Sequence, residues 1–189
     1  MILSVIRFES DLYVATTNGV YLYNCQSVYD KNRNSFDYKA KFKKIDEIRA
    51  MCWKLVEIQG NLYAVTNDGI YLINGSKAKL QLSGNFMSIS KMSFFPDNIL
   101  IGSKDGLLIA SVEDSKIDTL GYVKNYSYST RTICEDFFGN FWLGTSEDGL
   151  FQLSFFSGLN LNPDIISFAE KTGLPEDYDW IDVFPSFQG

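Results

Sequence analysis

The chain alternates short apolar runs with polar turns that contain glycine. The segment DLYVATTNGVYLYN at 11–24 returns as NLYAVTNDGIYLIN at 61–74, and looser copies follow at 98–111 and 140–153. In each copy two apolar runs flank a polar turn, as in a β-hairpin, because Asn-Gly and Asp-Gly supply the positive φ angles that tight turns need. The pattern therefore predicts four related hairpins.

Each hairpin is flanked by two further strand candidates. The upstream candidates lie at 3–8, 49–58, 89–95 and 130–137, and the downstream candidates at 38–45, 78–82, 116–123 and 165–169. Turns between the first and second strands are marked by Gly60, Asp97 and Gly139. The hairpin glycines, Gly19, Gly69, Gly106 and Gly149, are 50, 37 and 43 residues apart. This spacing is typical of the four-stranded blades of a β-propeller, which have about 40 to 50 residues each.

We therefore predict an all-β fold of β-propeller blades: four four-stranded antiparallel sheets plus the start of a fifth, within a larger propeller. The expected blades are 1–46, 47–84, 85–124 and 125–174, and the next blade starts at 175–189. A sandwich, a barrel or another repeat array is the alternative, since these also join short strands by glycine turns. A weak helical period occurs at 163–171.

Composition supports strands and excludes several functions. Of the 189 residues, 46% are hydrophobic and 15% aromatic, and aromatic side chains favour half-buried strands. The sequence has no His, which removes the commonest general base and the commonest neutral metal ligand. We expect no catalytic residues, no metal and no cofactor. The net charge of -6 offers no attraction for phosphates, so nucleic acid is not an expected partner.

The cysteines and the apolar segments give two further expectations. Cys25, Cys52 and Cys134 are far apart and lie among apolar neighbours, so each is expected in the core. No segment approaches the roughly 20 apolar residues of a membrane helix, and no direct membrane contact is expected. The acidic residues at 176–179 lack the spacing of a calcium loop.

The fourth repeat carries a known signature. Its sequence GNFWLGT at 139–145, followed by Gly149 and Leu150, resembles the G-N-L-W-I-G-T-x-x-G-L pattern of two-component regulator propeller repeats. The preceding TICED at 132–136 and the TGLP linker at 172–175 are also similar to that family. The other repeats match less closely, because the position of the family's Trp is occupied by Tyr13, Tyr63 and Leu100.

This resemblance implies a role in signalling. Such propellers form the periplasmic sensor region of hybrid two-component histidine kinases, and many of them recognise breakdown products of polysaccharides. The sequence contains no kinase, receiver or DNA-binding elements, so the resemblance implies a non-enzymatic sensor segment, located in the periplasm, with an oligosaccharide or other small molecule as ligand. The alternative is a protein-interaction scaffold without a small-molecule ligand.

Family members are expected to close a disc of about seven blades, and four blades leave open sheet edges. We expect a fragment of a longer chain whose propeller edges self-associate. Two chains that form one larger ring, or a small four-bladed ring, are the alternatives.

The candidate ligand face follows from propeller geometry. The turns between second and third strands share one face with the links between successive blades. Aromatic rings and charged groups on these links suit sugars, whose apolar faces stack while their hydroxyls form hydrogen bonds. The predicted ligand-binding residues are Arg49, Tyr126, Tyr128, Arg131, Tyr178, Asp179 and Trp180. The Asn and Asp residues before the hairpin glycines are explained by turn geometry.

Overall fold

The computed structural model describes residues 1–30, 32–168 and 181–184. Sixteen β-strands run through these residues, and none of them is helical. The strands form four antiparallel sheets of four strands, each arranged in chain order. The prediction of four four-stranded sheets is confirmed. The chain divides into two compact units, Met1–Leu80 and Gln81–Gly189, which we describe separately.

The strands of the first two sheets follow the repeats closely. The first sheet contains β1 (Ile2–Phe8), β2 (Asp11–Thr16), β3 (Gly19–Asp30) and β4 (Ser35–Lys44). The second sheet contains β5 (Cys52–Ile58), β6 (Asn61–Thr66), β7 (Gly69–Asn74) and β8 (Lys77–Ser83). The first strand of the second sheet is shorter than predicted, because Arg49 lies in the link between β4 and β5.

The last two sheets have the same order. The third sheet contains β9 (Phe86–Lys91), β10 (Asn98–Ser103), β11 (Gly106–Glu113) and β12 (Lys116–Tyr122). The fourth sheet contains β13 (Thr130–Glu135), β14 (Phe141–Thr145), β15 (Leu150–Ser154) and β16 (Asp164–Ser167). The stretch with the weak helical period therefore contains a strand, β16.

The first strands of these two sheets end earlier than predicted. Phe95 donates its backbone N–H to the carbonyl of Met92 at 2.9 Å, so the chain has already turned there. After β13, the N–H of Gly139 bonds to the carbonyl of Asp136 at 3.1 Å. The apolar residues continue past the strand ends in both places, and the predictions of strands at 89–95 and 130–137 are wrong at their C-terminal ends for this reason.

Each unit has an apolar core between its two sheets. In the first unit Tyr13 and Ala15 of β2 share one buried cluster with Leu62 and Ala64 of β6. In the second unit Leu100 of β10 shares a buried cluster with residues of β14 and β15, namely Phe141, Leu143, Phe151 and Leu153. Alternate residues of a strand point to opposite faces, and the apolar faces of the sheets are packed together in this way.

The segment 181–184 lies against the fourth sheet. The hydroxyl of Thr132 donates to the carbonyl of Ile181 at 3.4 Å, and the N–H of Val183 donates to the same hydroxyl at 3.0 Å. One repeat earlier, the hydroxyl of Ser88 on β9 donates to the carbonyl of Thr130 at 3.1 Å. Residues 181–184 thus take the place relative to the fourth sheet that β13 takes relative to the third, as expected for the start of a fifth blade.

The cysteines differ in their environments. Cys52 is completely buried, and burial raises the pKa of its thiol to about 12. Cys134 is only half-buried and lines a cleft of about 380 Å³, so the prediction that it is a core residue is wrong. It lies on the face of β13 that the segment 181–184 covers only in part. The side chain of Cys25 is not among those that the structure describes.

In the described part of the chain, no helix is long and apolar enough to cross a membrane.

Candidate ligand-binding face

A hydroxyl latch closes the hairpin between the second and third strands of every sheet. The side chain that ends the second strand donates a hydrogen bond to the carbonyl of the hairpin glycine and accepts one from a backbone N–H of the turn. The pairs are Thr16 with Gly19, Thr66 with Gly69, Ser103 with Gly106 and Thr145 with Gly149, at 2.9, 2.7, 3.0 and 2.8 Å. Sequence reasoning missed this latch, although a Ser or Thr at one position of all four repeats was a visible signal.

In each unit, one latched hairpin lies beside the link to the next sheet. A Cβ atom on Gly19 would collide with the carbonyl oxygen of Ile48, in the link between β4 and β5. A Cβ atom on Gly106 would be 2.6 Å from the carbonyl oxygen of Tyr126, in the link between β12 and β13. Glycine permits this close approach because it has no side chain. In each unit, therefore, the hairpin of one sheet and the link to the next sheet share a face.

In the first unit, this face presents Arg49 to solvent. The Nε atom of Arg49 donates to the backbone carbonyl of Asp46 at 3.3 Å. At the end of β4, the Nζ atom of Lys44 donates to the side-chain oxygen of Asn18 in the hairpin at 3.2 Å. The first unit thus has the exposed guanidinium of Arg49 on its link and the half-buried ammonium of Lys44 beside its hairpin.

In the second unit, the same face carries an aromatic cluster. Tyr126 is buried, with 4% exposed, and its hydroxyl shares a hydrogen bond of 2.9 Å with the hydroxyl of Thr130. The ring of Tyr128 is stacked on Phe151, with centroids 4.6 Å apart and planes at 25°. Tyr126 meets both rings edge-on, at centroid distances of 5.3 Å. Tyr128 remains 37% exposed, so the cluster supports one accessible ring.

Tyr126 therefore differs from the other predicted site residues. Burial raises the pKa of Tyr126, the hydrogen bond with Thr130 opposes this, and the charge of Asp148 raises the pKa again. Its hydroxyl stays neutral and directed toward Thr130. The prediction that it contacts a ligand is not supported by its burial, since the residue instead fixes the position of Tyr128.

Arg131 occupies a β-bulge. Residues 130 and 132 of β13 pair with the adjacent residues Thr145 and Gly144 of β14, so Arg131 is an additional residue at this register shift. A bulge turns a side chain out of the regular alternation of a strand. The first strands of the other sheets have the same irregularity, with Leu3, Trp53 and Met87 as the additional residues.

The bulge brings Arg131 to a carboxylate. Its Nε atom lies 3.4 Å from an oxygen of Asp182, and the two side chains are 29% and 31% exposed. Ile181 and Val183 occupy the places of Thr130 and Thr132 in the next repeat, so Asp182 has the position that Arg131 has in its own repeat. Sequence reasoning selected Arg131 but missed Asp182, because nothing in its neighbours marked the bulge.

The remaining predicted site residues are outside the described part of the chain. These are Tyr178, Asp179 and Trp180. Arg49 belongs to the first unit, whereas Tyr126, Tyr128 and Arg131 belong to the second. Among the described residues, no group of three His, Cys, Asp or Glu side chains could hold a metal ion.

In the fourth repeat, the carboxylate of Asp136 holds the turn between β13 and β14 through four hydrogen bonds, which we call the turn lock. One oxygen of the Asp136 carboxylate accepts the backbone N–H groups of Phe138 and Asn140, each at 2.9 Å. The other accepts the side-chain N–H groups of Asn140 and Trp142, each at 3.0 Å. Burial alone would raise the pKa of Asp136, but these hydrogen bonds lower it below its ordinary value. The motif residues of this repeat thus hold a turn rather than a ligand.

Trp142 and Trp53 are both half-buried. The ring of Trp142 lies 5.2 Å from that of Phe168, at an angle of 37°. The indole N–H of Trp53 donates to the side-chain oxygen of Asn67 at 2.5 Å. The indole N–H of each Trp is therefore satisfied, since that of Trp142 donates to Asp136.

Comparison with known proteins supports the fold. No protein-family model and no curated protein matches this sequence. The chain is similar to the extracellular domain of BT3049 from B. thetaiotaomicron, a protein assigned to the hybrid two-component systems, with a TM-score of 0.53 and 17% identity over 80% of this chain. It is similar to the corresponding domain of BT4673 from the same organism, with a TM-score of 0.60 and 13% identity over 87% of this chain.

This chain spans only 20% and 22% of those two chains. The resemblance read from the fourth repeat and the linker is confirmed at the level of the fold: the chain has the fold of extracellular domains of hybrid two-component systems.

Proposed function

We propose that this chain is a ligand-sensing segment of the periplasmic region of a two-component signalling receptor and that it has no catalytic activity. The fold shared with extracellular domains of hybrid two-component systems supports the signalling role. The sequence contains no His, and the carboxylate of Asp136 in its best-matching repeat is engaged in the turn lock, which argues against a catalytic site.

We further propose that the ligand is an oligosaccharide and that it binds on the hairpin face of the second unit. The observation that carries this proposal is the ring of Tyr128, which is 37% exposed and is held flat against Phe151. A fixed aromatic ring is a platform for the apolar face of a sugar. A platform that is already ordered loses little conformational entropy on binding.

The ion pair of Arg131 and Asp182 supplies the polar half of the site. The guanidinium has five N–H donors, and the carboxylate has several acceptor positions. Each side chain is about one-third exposed, at 29% and 31%. Sugar hydroxyls both donate and accept, and a donor next to an acceptor suits them.

Calorimetric titration of the full chain with a panel of neutral and acidic oligosaccharides tests the proposal. Against a sugar that binds, Tyr128→Ala is expected to weaken affinity by roughly tenfold or more, because an aromatic platform is removed from the centre of the contact. Arg131→Gln is expected to weaken it by a similar factor. Tyr122→Ala is the matched control, because Tyr122 is a 51% exposed tyrosine on β12 of the same unit.

Two results would contradict the proposed ligand site. The first is a folded chain that releases no heat with any sugar of the panel. The second is a sugar whose affinity changes equally in Tyr128→Ala and Tyr122→Ala, because binding would then depend on some other surface.

A further inference from the structure

The second unit has an aromatic groove at the ends of its strands that lie opposite the hairpin face. It has a volume of about 340 Å³. The lining residues are Phe94, Phe95, Phe138, Gly139, Asn140, Phe155, Phe156 and Gly158. They come from three turns, which join β9 to β10, β13 to β14 and β15 to β16. We call these residues the aromatic groove.

Three rings of the aromatic groove are exposed to solvent. Phe94 is 67% exposed, Phe138 is 76% exposed and Phe156 is 80% exposed. Two further rings of the groove pack against each other, since Phe95 and Phe155 meet edge-on with their centroids 6.2 Å apart. A contiguous exposed apolar patch on a folded domain typically marks a surface that binds something.

The sheets do not need these rings for their connections. In the first unit, the equivalent turns between β1 and β2 and between β5 and β6 contain two residues each, Glu9-Ser10 and Gln59-Gly60. The same strand pairing is thus made without any apolar residue in the turn. The burial of exposed Phe side chains in a complex is favourable because it removes their apolar surface from water. This favours a role of these rings in binding.

The aromatic groove lacks the hydrogen-bonding groups that a sugar requires. Among the described lining residues, Asn140 is the one with a polar side chain. Its Nδ2 atom donates to Asp136 at 3.0 Å, and its Oδ1 atom accepts the hydroxyl of Ser154 at 2.6 Å. Sugar hydroxyls buried there would lose their hydrogen bonds to water without replacement, which is costly. The groove therefore fits apolar side chains.

Charge restricts the partner further. Within three positions of the lining residues, the sequence has the carboxylates Asp97, Glu135 and Asp136 and the single cation Lys91. Glu135 is held next to the groove, since its carboxylate accepts the N–H and the hydroxyl of Ser93. An acidic rim repels anionic lipid surfaces and attracts Lys and Arg. A second copy of this chain, with its net charge of -6, is also disfavoured.

We propose that the aromatic groove binds a segment of a partner protein in which apolar side chains are flanked by Lys or Arg. The apolar side chains lie between Phe94, Phe138 and Phe156, and the basic side chains face the acidic rim. This surface is separate from the proposed sugar site, which lies on the hairpin face of the same unit.

Fluorescence anisotropy with labelled peptides tests this proposal on the full chain. The probe is a short peptide that alternates Leu and Lys; in one matched peptide Glu replaces Lys, and in another Ser replaces Leu. The Leu and Lys peptide is expected to bind at least about tenfold more tightly than either matched peptide. Phe138→Ser and Phe156→Ser are each expected to weaken its binding by roughly tenfold. Phe42→Ser is the control, because Phe42 is a 51% exposed phenylalanine on β4 of the first unit.

Several outcomes would overturn the proposal. Equal binding of the Glu-containing peptide would remove the charge argument, and an unchanged affinity in both groove variants would remove the groove. Absence of binding by all three peptides would do the same. Co-sedimentation with phosphatidylcholine and phosphatidylglycerol vesicles that Phe138→Ser abolishes would identify a membrane surface instead. Self-association in light scattering that the same variant abolishes would identify a second copy instead.

Discussion

The two units make the same strand connection with different turns. Between their first and second strands, the sheets of the first unit use the dipeptides 9–10 and 59–60. Glu9, Gln59 and Gly60 have φ angles of 53°, 49° and 73°, which belong to tight hairpins. The second unit uses the longer turns 92–97 and 136–140, where three Phe side chains are exposed. The strand pairing is therefore made with the short turn as well as with the longer one, so the exposed Phe side chains are not needed for it.

The largest expected effect is on the cores, where the units should respond alike. Phe141 of β14 and Leu62 of β6 precede the latch residue by the same interval, and they are 1% and 0% exposed. Phe141→Ala is expected to destabilise the second unit by about 3 to 5 kcal/mol, and Leu62→Ala the first by about 2 to 5 kcal/mol. Hydrogen exchange of β13–β15 and of β5–β7 measures each unit separately. Equal loss of protection in both units after either change would show that the units are not independently stable.

A smaller effect on stability should distinguish the long turn at 136–140 from the short turn at 9–10. Asp136→Ala removes four hydrogen bonds to one carboxylate, and we expect a loss of about 2 kcal/mol in the second unit. Glu9→Ala is the control in the short turn, with an expected change within about 0.5 kcal/mol. Urea unfolding followed by hydrogen exchange measures both. A negligible effect of Asp136→Ala would mean that the long turn does not need its lock.

The latch should show no difference between the units. Thr66→Val and Thr145→Val each leave the carbonyl of a hairpin glycine without its donor, and each should cost about 1 to 2 kcal/mol. Urea midpoints of the two variants measure this cost, and Thr119→Val on the exposed side of β12 is the control. A cost confined to one unit would contradict a shared role of the latch.

A pH dependence should distinguish the long turn. The pKa of Asp136 is lower in the folded protein than its ordinary value of 3.8, so its contribution to stability is complete above that value. The contribution is lost as the pH falls through the lower folded pKa. Asp136→Asn should therefore flatten the acid limb of the unfolding free energy, that is, its fall at low pH. Identical acid limbs in the wild type and Asp136→Asn would contradict the prediction.

The smallest effect on the unfolding free energy is expected at Phe137, in the long turn at 136–140. Phe137 is 94% exposed, so Phe137→Ser should change the unfolding free energy by no more than about 0.5 kcal/mol. Binding of an apolar fluorescent dye should decrease, because an exposed ring is removed. A strongly destabilised Phe137→Ser variant would show that the long turn serves the fold after all.

The hairpins were predictable from the sequence because their chemistry is local. Asn18-Gly19 and Asp68-Gly69 specify a tight turn regardless of the surroundings, and the repetition of the pattern revealed the four sheets. The strand ends at Lys91 and Glu135 were not predictable in this way. Phe94, Phe95 and Phe137 continue an apolar pattern that is typical of strands, and only backbone bonds such as that from Phe95 to Met92 end it.

The candidate site was predictable in part. Tyr128 and Arg131 stood out as an aromatic and a charged residue on a link, and the structure gives both an accessible position. The burial of Tyr126 depends on Phe151, from another strand, so no local pattern could reveal it. The pairing of Arg131 with Asp182 depends on a bulge and on contact between successive repeats, which are both tertiary features.

The bulges give each repeat one additional residue at the register shift of its first strand. Leu3, Trp53, Met87 and Arg131 occupy this place, and they share neither size nor charge, although all four are half-buried. The architecture can therefore accept new chemistry at one chosen residue per repeat while the surrounding ladder stays intact. Related repeats could therefore differ in the chemistry of this one residue without a change in the sheets that hold it.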